Sequence, residues 1–155
     1  MNLYKLLQEL DLRSYFATAD DMAISWFEEQ RYWKRLIDPS SFASRLGKPI
    51  AQLKMVCWLH ALGTFKGVKK GSYHVLWRLK TNRSGRELGG TSISAWVSNV
   101  PEEDIIKMGQ VLDTHALQNA QNWTYFEIGP LTVADAYGEI TFELKNLEGL
   151  HAYSY

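Results

Sequence analysis

The sequence predicts an all-β protein, an antiparallel β-sandwich with short helical insertions. From Ile50 onward, apolar side chains recur at every second position in several short runs, which is the period of a β-strand. Glycine and proline separate these runs, as they do in sandwiches made of many short strands. The 155 residues suffice for one domain with a real core, and no repeat or linker divides them. We therefore expect one domain over residues 1–155, with residues 1–20 as an N-terminal extension.

The first third of the chain gives three local signals. Leucines at helical spacing predict a short amphipathic helix over Asn2–Leu10. Ala23–Phe27 is a candidate strand. Asp38-Pro39-Ser40-Ser41 has the composition of a turn.

Two strands and the chain between them follow. Both faces of Lys54–Gly63 are largely apolar, which is typical of a strand covered on both sides. Gly63–Gly71 carries glycines and lysines and is expected to be a connection. Apolar and polar residues alternate in Ser72–Lys80, which predicts a half-buried strand. Thr81–Gly90 is rich in glycine and is expected to be a loop.

The last third combines strand patterns with one helical signal. Thr91–Val97 and Gly138–Lys145 alternate apolar and polar side chains and are predicted strands. Pro101 is followed by acidic residues, which predicts a short helix or an ordered loop over Asp104–Leu117. Trp123–Ile128 is a further predicted strand, and we expect the following glycine and proline to end it.

Charge and cysteine content exclude several kinds of protein. The 17 lysines and arginines balance 17 aspartates and glutamates, so nothing in the net charge attracts nucleic acid. A local basic stretch, Lys66–Lys80, is predicted to be a solvated face. The single cysteine, Cys57, excludes an internal disulfide and is expected to be a buried thiol. Apolar runs fall short of the roughly 18 residues of a membrane span, and the N-terminus lacks signal-peptide features, so we expect a cytoplasmic protein without a membrane partner.

The sequence contains no motif for catalysis or metal binding. The four histidines lack the spacing of a metal site, and no paired-cysteine motif, phosphate loop or nucleophile elbow occurs. We therefore predict that the protein is not an enzyme and uses no metal and no cofactor. A glycosidase pair involving Glu28 and Glu29 is the catalytic alternative that remains open.

The most informative part of the sequence is Ala23–Trp33, in which Ser25–Trp33 forms an aromatic segment. Its four rings, Trp26, Phe27, Tyr32 and Trp33, are separated by charged and amide residues, so at least one or two of them should be exposed. A ring of N-acetylglucosamine offers an apolar face that can lie flat on an indole, and its hydroxyl and acetamide groups need polar partners. An alternative interpretation places Trp26 and Trp33 in the core or at its edge, and a third makes one of the two structural while the other binds sugar.

Five motifs in one order make the chain recognisable. Together they resemble the phloem protein 2, or Nictaba-type, family of plant lectins, and the length is nearest to the cucurbit phloem lectins. The motifs are Ser25-Trp26 with Tyr32-Trp33, Val56-Cys57-Trp58-Leu59, Ser72-Tyr73 with Val75 and Leu79-Lys80, Trp123 with Glu127-Ile128-Gly129, and Gly138-Glu139-Ile140 with Phe142 and Leu144.

The resemblance implies a jelly-roll-like β-sandwich that binds chitin oligomers and the N-glycan core. It also implies a location in the cytoplasm of phloem tissue or in phloem sap, with the nucleus as a second location. Two family tryptophans implicated in sugar binding match Trp26 and Trp33. The polar half of the family's site falls near Asn146, Glu148 and Tyr153.

These residues predict a shallow sugar site. Trp33 is expected to stack on a sugar face, with Trp26, Phe27 or Tyr32 beside it. Arg31, Asn146 or Glu148 is expected to bind hydroxyl or acetamide groups, and Tyr153 lies where the family has a lysine. Because shallow sites lose part of their binding energy to ordering and desolvation, we expect a dissociation constant between roughly millimolar and micromolar.

The C-terminal sequence adds an expectation about assembly. The resemblance implies one more strand than His151-Ala152-Tyr153-Ser154-Tyr155 supplies, which would leave an open sheet edge and predicts a homodimer. The main alternative function is an RNA- or protein-interaction module of phloem sap that uses Lys66–Lys80. A substrate-recognition domain of a ubiquitin ligase is a weaker alternative, because Leu3–Leu10 is too short for an F-box.

Overall fold

A computed structural model describes residues 15–54, 59–80, 89–113, 115 and 123–146. Within these ranges, strands dominate and the helical elements are short. The strands are β1 Ala23–Ile24, β2 Trp33–Leu36, β3 Ile50–Leu53, β4 Leu59–Leu79, β5 Ser92–Val97, β6 Met108–Val111 and β7 Thr124–Asn146; helix α1 is Phe42–Arg45, and 3₁₀ turns occupy Ala19–Asp21 and Glu102–Asp104.

The described strands form two antiparallel sheets. The larger sheet has the order β1-β4-β7-β5-β6, and β2 and β3 form a separate hairpin. The long strands β4 and β7 pair with each other from Leu59 opposite Asn146 to Leu79 opposite Thr124. They make a two-stranded ribbon on which the rest of the sheet is built.

The β4–β7 ribbon folds back on itself. Gly63 pairs with Phe142, and Trp77 lies fourteen positions further along β4, about 46 Å away if the strand were straight. The rings of Trp77 and Phe142 are nevertheless only 5.6 Å apart, edge to face. The two halves of the ribbon therefore face each other across the core, and the predicted all-β sandwich class with short helical insertions is confirmed.

The core lies between the two halves of the ribbon. Alternate side chains point into it, as the period-two patterns predicted. Fully or nearly fully buried residues come from the middle of β4, from β5 and from both halves of β7; they include Val68, Ile93, Ala95, Val133, Ile140 and Phe142.

The prediction that Gly63–Gly71 is a connection is wrong. These residues lie inside β4, and the pairing with β7 shifts register between Phe65 and Val68 and again between Lys69 and Gly71. Gly67 has a φ of 63°, a conformation that glycine adopts at little cost. The glycines thus mark bulges that bend the strand rather than a break in it.

The prediction of a helix or loop over Asp104–Leu117 is also wrong in its central part. The acidic start makes a single 3₁₀ turn, Glu102–Asp104, and the chain then forms strand β6. A Cβ on Gly109 would lie 2.9 Å from the carbonyl oxygen of Ile93, so glycine permits the close pairing with β5. Pairing with β5 therefore outweighs the local helix-start signal.

The expected end of a strand at Gly129-Pro130 is wrong as well. Strand β7 continues through this pair, which has a cis peptide bond, to Asn146. The register of the β4 partner shifts there, between Tyr73 and Val75, so the proline causes an irregularity in the ladder and does not stop it.

The N-terminal extension contacts the ribbon where the structure describes it. The ring of Tyr15 packs against Phe65 and Tyr73, and its hydroxyl accepts a hydrogen bond from the Lys69 backbone. The predicted helix over Asn2–Leu10, the thiol of Cys57 and most of the Thr81–Gly90 loop lie outside the described residues. In the described part of the chain, no helix has the length and apolarity needed to cross a membrane.

Candidate functional site

Strand β1 and the β2–β3 hairpin hold the aromatic segment at one edge of the large sheet. The Ser25 amide donates to the carbonyl oxygen of His60 at 2.9 Å, which extends the pairing of β1 with β4. The chain then turns repeatedly, with the Glu29 amide bonded to the Trp26 carbonyl and the Tyr32 amide bonded to the Glu29 carbonyl. The segment that the sequence predicted as a strand to Phe27 is therefore a compact loop after Ile24.

Trp26 is the exposed ring of this segment. Its side chain is 44% exposed, and its φ of 63° is the left-handed conformation that a residue with a Cβ adopts at a cost of about 1–2 kcal/mol. Within the described residues, no other non-glycine residue has a positive φ. Backbone strain of this kind concentrates at binding sites, where surrounding contacts hold it in place.

Trp33, which the sequence analysis expected to stack on a sugar, is buried. The structure leaves it only 8% exposed, as the first residue of β2, and its indole N–H donates to the Ser25 carbonyl at 3.0 Å. Phe27 packs edge-on against it with the ring centres 5.9 Å apart. The Trp33 ring is thus buried beneath the loop, and the partly buried Phe27 ring packs against it.

Tyr32 and Arg31 lie beside Trp26. The Tyr32 and Trp26 rings pack edge to face with their centres 5.9 Å apart. The Arg31 guanidinium lies over the Tyr32 ring, 4.9 Å from its centre. The Arg31 side chain is 70% exposed and lies 3.6 Å from the Glu29 carboxylate. This arrangement places a hydrogen-bond donor group and an acceptor group beside an exposed indole.

Arg35 is a supporting residue that the sequence analysis missed. Its guanidinium lies 3.9 Å from the centre of the Phe27 ring and donates to Glu28 at 2.9 Å and to Asp20 at 3.1 Å. The hydrogen bond from Arg35, with its charge, lowers the pKa of Glu28. The sequence signal was two pairs of carboxylates, Asp20-Asp21 before the aromatic segment and Glu28-Glu29 within it, because such a concentration of negative charge favours a nearby cation.

Of the predicted polar half of the site, Asn146 is the residue that the structure describes. Asn146 is 4% exposed, and its amide donates to the Gly89 carbonyl at 3.0 Å and to the Thr91 hydroxyl at 3.1 Å, so it joins β7 to the start of β5. Glu148 and Tyr153 lie outside the described residues.

Comparison with known proteins settles the family. The phloem protein 2 family model matches residues 13–154. The chain belongs to the phloem protein 2 family. No curated protein matches it by sequence. Among solved structures, it is similar to a carbohydrate-binding module, TmCBM61, in a complex with β-1,4-galactotriose, with a TM-score of 0.50 and 14% identity over 85% of this chain and 82% of that one. At this identity the likeness concerns the fold.

A second aromatic cluster of this phloem protein 2 chain lies at the far end of the ribbon. The Arg78 guanidinium is 5.0 Å from the centre of the Tyr125 ring and 5.9 Å from that of Trp123. The Trp123 indole donates to the Ser40 hydroxyl at 3.2 Å. The sequence analysis did not single out this cluster, because its members come from strands that are distant along the chain.

The basic stretch Lys66–Lys80 does not form one patch. Lys66, Lys69 and Lys70 are exposed on the bent middle of β4, whereas Lys80 pairs with Asp38 at 3.3 Å. Hydrogen bonds from Ser40, with a smaller contribution from Lys80, lower the pKa of Asp38 to about 2. Among the described residues there is also no group of three or more metal-ligating side chains.

Proposed function

We propose that this protein is a carbohydrate-binding lectin that recognises N-acetylglucosamine oligomers through the exposed face of Trp26. The observation that carries the proposal is the geometry of this ring. It is half-exposed, held in a strained backbone conformation, and flanked by Tyr32 and the exposed Arg31. A hydrophobic surface with a few adjacent polar groups is what a sugar ring requires.

Family membership and fold both support a sugar ligand. The family is one of plant phloem proteins, and the similar solved module was captured with a trisaccharide. Membership also supports phloem sap as the location. Chitin oligomers and N-glycan cores are the ligands we propose within this class.

The polar groups beside Trp26 suit an acetamido sugar. An acetamide has one N–H donor and one carbonyl acceptor. The Glu29 carboxylate supplies an acceptor for the acetamide N–H, and the Arg31 guanidinium supplies donors for the acetamide carbonyl. Because both side chains are ionised, these hydrogen bonds to the sugar are charge-assisted. An oligomer that stacks one residue on Trp26 then extends over Tyr32, so longer chains bind more tightly.

Trp33 and Phe27 support this surface without touching the ligand. Trp33 bonds to Ser25, the residue before Trp26, and Phe27 is clamped between Trp33 and Arg35. Loss of either ring would release the loop that presents Trp26. A requirement for Trp33 in sugar binding is thus consistent with an indirect role.

Calorimetric titration with chitotriose tests the proposal. We expect the wild-type protein to bind with a dissociation constant between roughly millimolar and micromolar, and Trp26→Ala to bind at least about tenfold more weakly. Trp123→Ala is the matched control, because it removes an indole of the second aromatic cluster, and it should bind as the wild type does. The absence of wild-type binding at millimolar chitotriose would reject the lectin proposal. Loss of chitotriose binding in Trp123→Ala but not in Trp26→Ala would place the sugar site at the second aromatic cluster instead.

Repeating the titrations at several salt concentrations distinguishes the sugar proposal from the main alternative, RNA binding. Binding of RNA through Lys66–Lys80 should weaken steeply with salt, whereas stacking on Trp26 should change little. The dispersal of these lysines along a bent strand favours the sugar proposal. Release of reducing sugar from chitotriose would instead revive the glycosidase alternative.

A further inference from the structure

A cleft of about 300 Å³ lies at the opposite edge of the large sheet from the aromatic segment. It is formed where the chain between β5 and β6 passes the middle of β7. Its aliphatic lining includes Val97, Met108, Leu131 and Val133.

Two carboxylates, those of Asp104 and Asp135, line the same cleft, and both residues are exposed. Glu102 and Glu103 precede Asp104 in the same 3₁₀ turn. None of these four acids makes an ion pair with another residue in the described ranges. In a chain with a formal charge of zero, this rim is a local concentration of negative charge.

Two lysines border the rim and form no ion pair with its acids within the described residues. Lys70 lies on β4 between the partners of Tyr137 and Val133, and Lys107 follows Asp104 along the chain. The Lys107 ammonium lies 4.2 Å from the centre of the Trp96 ring. Beside it, Ile106 is 77% exposed, which leaves an apolar side chain at the cleft in contact with solvent. The cleft therefore combines an aliphatic lining, an exposed apolar rim residue and carboxylates that form no ion pair within the described residues.

We propose that this cleft is a docking site for a lysine or arginine side chain of a protein partner. Such a side chain has an apolar stem that can lie along Val97 and Leu131 and a cationic head that can reach Asp104 and Asp135. Charge complementarity at the rim accelerates encounter with a basic segment and selects against acidic ones. The site is separate from the Trp26 surface and stands without the sugar proposal.

A peptide side chain fits the cleft better than an amino sugar does. None of the described residues that line the cleft is aromatic, so a sugar would lack there the flat surface on which its apolar face stacks. An unbranched aliphatic stem needs no such surface.

An NMR titration with the peptide acetyl-Gly-Arg-Gly-amide tests the proposal on the full chain. We expect the backbone amides of Val97, Met108 and Leu131 to shift. The variant D104N/D135N should weaken binding by about tenfold or more, because it removes both charge-assisted contacts. The matched variant E102Q/E103Q removes the same charge outside the cleft lining and should change binding less than about twofold.

Three results would overturn the proposal. One is no shift at these amides with about 10 mM peptide, a concentration at which even a weak single-residue contact is visible. Another is an equal loss in both double variants, which would indicate general charge attraction. The third is equal binding of acetyl-Gly-Leu-Gly-amide, or stronger binding of glucosamine, at the same amides. Chitotriose binding should be unchanged in D104N/D135N, so failure here is distinguishable from failure of the lectin proposal.

Discussion

Single residues of the aromatic segment divide into exposed and supporting rings. The spacing of Trp26, Phe27, Tyr32 and Trp33 was enough to predict that at least one ring is exposed, but it did not reveal which ring faces solvent. That depends on how β2 pairs with β3 and places Trp33 opposite Leu53, which is a tertiary contact. A positive φ at Trp26 has no local sequence signal at all.

The buried and exposed tryptophans should differ in their effect on stability. We expect Trp33→Ala to lower the free energy of unfolding by about 3–5 kcal/mol, because it empties a core position and removes the hydrogen bond to Ser25. Trp26→Ala should lower it by less than about 1 kcal/mol, because the ring is half-exposed. Urea unfolding of the two variants measures this difference, and equal losses would contradict the division of roles.

A buried carboxylate gives the protein a predicted acid sensitivity. Glu143 is 13% exposed and bonds to His60 at 2.8 Å, with Lys145 at 3.6 Å. Burial by itself raises the pKa of Glu143, but the hydrogen bond from His60 and the charges of Lys145, His60 and Lys107 outweigh it and lower that pKa below its ordinary 4.5. Stabilisation from the ionised group is therefore complete above pH 4.5 and is lost as pH falls through the lowered value.

The variant Glu143→Gln tests this linkage. We expect it to unfold more easily at neutral pH by about 1–3 kcal/mol, the cost of losing a charged hydrogen-bond partner at a mostly buried position. Its stability should also fall less between pH 5 and pH 3 than that of the wild type, by roughly the same amount. Parallel pH profiles for variant and wild type would show that Glu143 does not contribute.

At the scale of elements, the fold depends on the bend of the β4–β7 ribbon. The strand patterns in Ser72–Lys80, Thr91–Val97 and Gly138–Lys145 could be predicted because each alternates cleanly over its own length. The continuity of β4 and β7 could not be predicted, because glycine and proline are local signals that a strand ends. The ladder continues across the bulges because each long strand pairs with the other, and that pairing is a tertiary contact. The same reason explains the missed strand β6, which pairs with β5 against its local helix signal.

One glycine near the bend carries a prediction of its own. A Cβ on Gly63 would lie 2.3 Å from the tip of the Phe142 ring, which is buried against Trp77. We expect Gly63→Ala to lower the free energy of unfolding by about 1–3 kcal/mol, as overpacking does. Lys66→Ala on the exposed side of the same strand is the control and should cost less than about 0.5 kcal/mol. Thermal unfolding that does not separate these two variants would mean that Phe142 moves aside freely.

At the scale of the whole molecule, the two proposed surfaces lie at opposite edges of one sheet. The aromatic segment follows β1, and the acidic cleft borders β5 and β6, with β4 and β7 between them. The two proposals therefore predict that a glycan and a basic protein segment do not compete for one surface. The homodimer remains a prediction that light scattering would test.

The central claim is that Trp26 contacts the sugar and Trp33 supports it from beneath. Fluorine NMR of protein labelled with fluorotryptophan tests this directly, since each of the six tryptophans gives its own resonance. Single Trp→Phe variants assign the resonances. On addition of chitotriose, we predict a large shift of the Trp26 resonance and a small one for Trp33. A large shift at Trp33 or Trp123 with an unmoved Trp26 resonance would contradict the account.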